Sequence, residues 1–212
     1  MKKLIAMLLA LVLVMGLVAC GNNTDTNNTT AGTEGTTEGT EGTTGAAEDT
    51  TAAAVEPNEA TVVFANIWAG YPTENAFFAM GGDMNNMVDN APGNYSVTDE
   101  GLASTFHIPE DQIANIACVS SLMHGMMANN FTGAVYKLNE GADVAAFVEA
   151  MHGSIGSTQW LCGMPEKLLI AVIDTEYVFV AFGLNDVLNP METAMTAAYA
   201  DAEIKYSEAI AG

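Results

Sequence analysis

Lys167-Leu168-Leu169-Ile170-Ala171-Val172-Ile173-Asp174-Thr175-Glu176-Tyr177-Val178-Phe179-Val180-Ala181-Phe182 is the stretch whose reading decides the fold. Two runs rich in β-branched and aromatic residues, Lys167 to Ile173 and Glu176 to Phe182, flank the polar pair Asp174-Thr175. That pattern predicts two antiparallel strands joined by a tight turn. Upstream, Asn139 is a candidate cap for an amphipathic helix with Val144, Phe147, Val148, Met151 and Ile155 at helical spacing. Before it, Cys118 to Met127 and Asn130 to Leu138 read as two more strands, turning at Asn129-Asn130. Two short helices are expected near Asp99 to Phe106 and Pro109 to Ile116, after a turn over Asn90-Ala91-Pro92-Gly93-Asn94.

Further out, Thr61 to Ile67 has the composition of a strand. After Pro72, Thr73 would cap a helix carrying Phe77, Met80, Met84, Met87 and Val88 on one face, although Gly81-Gly82 sits awkwardly within it. At the other end, Asn189-Pro190-Met191-Glu192 has the form of a capping box, predicting a C-terminal helix through about Tyr206. The expected fold is α+β: a mainly antiparallel sheet of about four to five strands with helices packed on it. It forms one domain over 61–212.

The N-terminus is a different material. Met1-Lys2-Lys3 and the apolar run Leu4 to Val18 form an export signal, 1–19, too short to span a hydrocarbon core of ~30 Å as a permanent helix. Leu17-Val18-Ala19-Cys20 resembles the bacterial lipobox, which implies a diacylglyceryl group on the Cys20 sulfur; two acyl chains give stable anchoring where one does not. Residues 22–60 hold Thr-Glu-Gly units and no Phe, Leu, Ile, Trp, Tyr or Lys. The stretch 20–60 therefore reads as a lipidated cysteine followed by a disordered tether. About 39 flexible residues span roughly 35 Å on average and about 130 Å when fully stretched. The expected location is the cell membrane, lipid-anchored on the extracytoplasmic face.

Charge narrows the function classes. The chain carries 26 acidic residues against five lysines, no arginine, and a formal charge of −21. Nucleic-acid binding needs cationic contacts to phosphate, so no nucleic acid is expected as partner. With Cys20 acylated, Cys118 and Cys162 are an even pair in an exported domain. A bridge would close a loop of about 45 residues, worth ~4 kcal/mol by chain entropy; two buried apolar thiols are the alternative.

The segment from Phe106-His107-Ile108 to Gly183 resembles a family of uncharacterised lipoproteins found mainly in Gram-positive anaerobic bacteria. The likeness rests on Phe106-x-Ile108 with Glu110, on Tyr136-Lys137-Leu138, on Pro165-Glu166-Lys167, and on Tyr177 to Gly183. His107 stands where glycine is expected. The resemblance implies a lipoprotein and carries over no catalytic residue.

Candidate chemistry is sparse. No His-Glu-x-x-His, Gly-x-Ser-x-Gly, Ser-x-x-Lys, Cys-x-x-Cys or phosphate-binding loop is present. Met123, His124, Met126 and Met127 are soft donors suited to Cu(I), but strand alternation would put Met123 and Met127 on one face and His124 and Met126 on the other. Met80, Met84 and Met87 are expected in the core. Cys118 with His124 or His152 would be a thiol-nucleophile pair, and Glu110, Asp111, Asp174 and Glu176 are scattered carboxylates. Trp68, Tyr71 and Trp160 lie in connections, where they would stack on a ligand or cover the core. No cofactor or metal is expected. The reading favours a non-enzymatic binding or interaction module, with a solute- or metal-binding lipoprotein of an uptake system, or an envelope hydrolase, as alternatives.

Overall fold

Asn58 begins the first element. Its side-chain oxygen accepts from the Thr61 amide at 2.8 Å, and its Nδ2 donates to the Val119 carbonyl at 2.9 Å. It thus caps helix α1 (Glu59–Ala69) and fastens it to the sheet. The computed structural model describes residues 55–98, 100–161 and 163–210, within one compact unit, Thr51–Gly212. The expected signal peptide, Cys20, the expected tether up to residue 54, and Cys162 lie outside the described residues. Thr61 to Ile67 is therefore helix and not strand. Ala60, Val63, Phe64 and Ile67 are buried at helical spacing, and that stripe with its cap outweighs β-branched composition. Residues 56–60, assigned to the tether by sequence, belong to the domain: Asn94 Nδ2 donates to the Glu56 carbonyl at 2.7 Å.

The helix expected after Pro72 is replaced by a single 3-10 turn (Thr73–Asn75) and three short strands: β1 (Ala79–Gly81), β2 (Val88–Asp89) and β3 (Gly93–Tyr95). The glycines decide this. A Cβ on Gly81 would lie 2.2 Å from the Ala91 carbonyl oxygen and 2.5 Å from the Gly93 nitrogen, and Gly82 takes φ +80°. Met84 is 83% exposed and Met87 49% exposed, so the methionine stripe expected in the core is largely on the surface.

Two four-residue helices follow as expected, α2 (Gly101–Ser104) and α3 (Glu110–Ile113). Then come β4 (Ile116–His124), β5 (Phe131–Leu138), α4 (Val144–Gly156), β6 (Lys167–Ile173), β7 (Tyr177–Gly183), α5 (Asn185–Ala198) and β8 (Glu203–Ala209). α4 is capped by Asp143, whose carboxylate accepts from the Ala146 amide at 3.0 Å, and not by Asn139. α5 starts at Asn185, ahead of the expected cap at Asn189, because the Glu166 carboxylate accepts from both the backbone and the side-chain nitrogen of Asn185 at 2.9 Å. Pro190 therefore falls inside the helix. Glu203 to Tyr206, expected as the end of that helix, belong to strand β8.

The fold is α+β with an antiparallel sheet of eight strands, more than the four or five expected. Its order is β2-β1-β4-β5-β7-β6-β8, with β3 also pairing β4. β1 and β3 lie end to end on β4: Gly81 pairs with Leu122 and Gly93 with Ser121. Residues 82–92 run out beyond β4 as an excursion and return along β1, where β2 pairs through Asp89 with Met80 and Val88 with Gly81. The chain passes from β5 through α4 to β6, crossing over β7, and from β7 through α5 to β8, crossing over β6. Both steps move in the same direction across the sheet but leave from strands of opposite sense. A common hand then requires the two helices to take opposite faces. They do: α4 packs with α2 against Tyr136, Ile170 and Val178, and α5 packs with α1 against Val135, Leu169 and Phe179.

Asp83 anchors the excursion. This buried carboxylate accepts from the amides of Asn85, Asn86 and Ser96 at 2.9, 3.1 and 2.9 Å, and from Asn86 Nδ2 at 3.3 Å. Bonds to a charged acceptor contribute about 1.5–3 kcal/mol each, less than additively. Asp83→Ala is expected to lower stability by about 3 kcal/mol, with Asp83→Asn in between, read from urea denaturation midpoints. An unchanged midpoint in Asp83→Ala would remove it as the anchor.

Candidate functional site

A groove of about 630 Å³ opens between α4, the β6–β7 turn and β8. Val144, Ala145 and Val148 from α4 and Val172 from β6 give it an apolar floor, and Glu149, Asp174, Asp201, Glu203 and Lys205 stand around it. Sheet register puts these together, because Val172 pairs with Glu203 on β8 and Ile173 leads into the turn. Lys205 is the extra residue of a bulge opposite Ile170 and Ala171, and it pairs with Glu203. That bond holds the Glu203 carboxyl below its usual range.

Tyr206 forms one wall. Its hydroxyl donates to Glu149 Oε1 at 2.7 Å, which pushes the phenol pKa up, and its ring stacks on His152 at 3.7 Å and 5°. His152 Nε2 in turn lies 2.7 Å from Glu208 Oε1. Edge strand and helix are thereby tied across the groove. At its mouth, Asp174 and Thr175 both have positive φ, +48° and +63°. This is the backbone of a two-residue hairpin turn with like-handed central residues. Thr175 is β-branched and is held in that conformation at a cost of order 1–3 kcal/mol.

A second recess of about 570 Å³ adjoins it, sharing Val144 and Thr175 and adding Lys137, Asn139, Glu140 and Glu176. Lys137 Nζ lies 2.5 Å from Glu59 and 3.9 Å from Glu176. The bond to Glu59 is the main cause that raises its pKa; burial opposes it, and the charges nearby add to the rise. Its charge is thus matched from both sides.

Of the carboxylates singled out by sequence, Asp174 lines the groove and Glu176 the adjoining recess, whereas Glu110 and Asp111 open α3. Cys118 is a half-buried free thiol on β4, in register with Lys137, while Cys162 lies outside the described residues. The thiol-nucleophile pair is not assembled. His124 is at the far end of β4, and His152 packs on Tyr206 across the opposite face of the sheet from the core that Cys118 joins. Met123 packs into the α4-side core, but His124 stacks on Phe77 on the other face, and its Nδ1 accepts from the amides of Met126 and Met127 at 3.2 and 3.3 Å. Met126 is 81% exposed, so the soft donors are dispersed. Met127 is exposed, contrary to the alternation expected of a strand that ends instead at His124.

Trp68 and Tyr71 stack on each other at 4.9 Å and meet Phe77 edge-on, covering the core on the α1 side. The Trp68 indole donates to the Asn90 carbonyl at 2.9 Å, and burial pushes the Tyr71 hydroxyl up to about 12. Trp160 is on the other side, against His107 and Phe182 at 5.0 and 5.1 Å. None of the three contributes to the groove. His107 takes φ +56°, the left-handed region that glycine, the residue expected there, adopts freely. The groove residues Glu149, Asp201, Glu203 and Tyr206 are ones that sequence reasoning missed, since reading β8 as helix hid its pairing with β6.

Comparison with protein-family models, curated proteins and solved structures finds no match to this chain. Among the described residues, no three His, Cys, Asp or Glu side chains are grouped to hold a metal, and no helix is long and apolar enough to cross a membrane.

Burial lowers the His107 pKa from its ordinary 6.5. The unfolded chain therefore takes up this proton first. The stability His107 contributes is complete above about 6.5 and is lost as pH falls through the folded value. His107→Asn, which tolerates positive φ, should remove that part of the acid sensitivity. Melting temperatures across mildly alkaline to mildly acidic pH are expected to fall faster in the wild type. Parallel curves would show that His107 is not the group responsible.

Proposed function

We propose that this protein is a non-enzymatic binding module, lipid-anchored through Cys20 on the extracytoplasmic face of the membrane, with the groove between α4 and β8 as its ligand site. The observation that carries this reading is the groove itself: an apolar floor within a ring of exposed polar groups, in the size range of small-molecule sites. Among the described residues, its lining holds no Cys, His or Ser. Glu149, Asp174, Asp201 and Glu203 are all exposed, and Glu149 and Glu203 are bonded to Tyr206 and Lys205. Binding suits such a lining better than hydrolysis.

A second reading, a protein-docking face, is favoured by Phe78, Met126 and Met127, which are exposed at the other end of the sheet. Exposed apolar side chains in a group of this kind are characteristic of interaction surfaces.

Labelled palmitate is expected on the wild-type protein in a lipoprotein-processing bacterium and absent from Cys20→Ser; label on both would remove the anchor. For the groove, benzyl alcohol titrated into residues 20–212 is expected to shift the NMR signals of Val144, Val148 and Val172 at millimolar concentration. Val148→Trp, which fills the floor, should abolish those shifts. No shift in the wild type, or shifts confined to other residues, would end the reading.

A further inference from the structure

Resting on that reading of the groove, we infer that its ligand is an organic cation, an amine whose ammonium faces the rim while an apolar body lies on the floor. Four carboxylates stand around the groove, from Glu149, Asp174, Asp201 and Glu203. Among the described residues, the one cation in the lining, Lys205, is already bonded to Glu203. The imbalance is built from three elements that are distant in sequence: α4, the β6–β7 turn, and the approach to β8.

Charge also excludes the other occupants an apolar groove invites. Residues 21–54 of the chain itself carry Asp25, Glu34, Glu38, Glu41, Glu48 and Asp49 without a lysine, so the rim repels them. A second copy brings the same formal −21. An anionic ligand meets the carboxylates head-on, and a neutral apolar one gains nothing from them. An amine uses both parts. Its ammonium stays in the hydrated rim, where ionised carboxylates favour it, and its hydrocarbon portion leaves water against Val144, Val148 and Val172. Exposure of the rim means that the attraction is screened by salt and shows most clearly at low ionic strength.

The test uses residues 20–212 and three probes of one shape: phenethylamine, 2-phenylethanol and phenylacetate. Affinity is read from NMR shifts of Val144, Val148 and Val172 at low and physiological salt. Phenethylamine is expected to bind about ten-fold more tightly than the alcohol at low salt, with the margin narrowing as salt is added. Phenylacetate is expected to bind most weakly. The preference should fall in Asp174→Asn/Asp201→Asn with the melting temperature unchanged, and Asp201→Asn alone serves if that pair loses its fold. Equal groove affinity for amine and alcohol, or a preference that survives these substitutions, would overturn the cation inference and leave the groove standing. Failure of all three probes to shift groove signals would overturn both.

Discussion

The constraint on which the structure depends is that its central strands are apolar on both faces. β5 and β7 are buried almost throughout, with alternate residues divided between two cores. Val135, Leu169, Ala171 and Phe179 belong to the core under α1 and α5, whereas Ala134, Tyr136, Ile170, Val178 and Val180 belong to the core under α4. A one-residue slip in any of these pairings would exchange the two sets. Register is therefore fixed twice over, and neither helical layer can be dispensed with. The irregularities fall away from the β5–β7 pairing: one bulge is in β4, between Ile116 and Cys118, and the other is in the β6–β8 pairing.

Tight burial in the middle leaves the two ends of the sheet to differ. At one end, the β6–β7 turn and the start of β8 gather carboxylates over an apolar floor. At the other, the β4–β5 connection and the chain before β6 expose Met126, Met127, Leu161 and Met164. The strained Thr175 backbone belongs to the first end, where a rigid two-residue turn fixes Asp174 beside the groove. Lys137 and Lys167 are engaged by Glu59 and Glu192, so the few cations of the folded region serve its architecture.

Legibility in the sequence followed locality. The hairpin was readable because its strands, its turn and its pairing are consecutive. α4 was readable because Phe147, Val148, Met151 and Ile155 keep helical spacing through a long element. α1 was misread because Val62, Val63 and Ile67 suggest a strand; the spacing of Ala60, Phe64 and Ile67 was the signal to weigh, together with Asn58 ahead of them. Past Pro72 the opposite error occurred: Phe77, Met80, Met84 and Met87 mimic a helical stripe, while Gly81 and Gly82 mark where backbones touch. The start of α5 depends on Glu166, nineteen residues upstream of Asn185, and no local pattern encodes that. The groove was hidden for the same reason. Ile204 and Tyr206 alternate with charged and polar residues as an edge strand does, but the capping box at Asn189 drew the helix across them.

The excursion between β1 and β3 has a consequence of its own. Gly81 and Gly93 occupy successive places along β4, so the sheet is laid out as though one followed directly upon the other. The eleven residues between them form a cassette whose two feet already touch. Its outermost residues can therefore change while the rungs of β1 and β3 on β4 stay in register, provided that Asp83 and the pairing of β2 with β1 are kept.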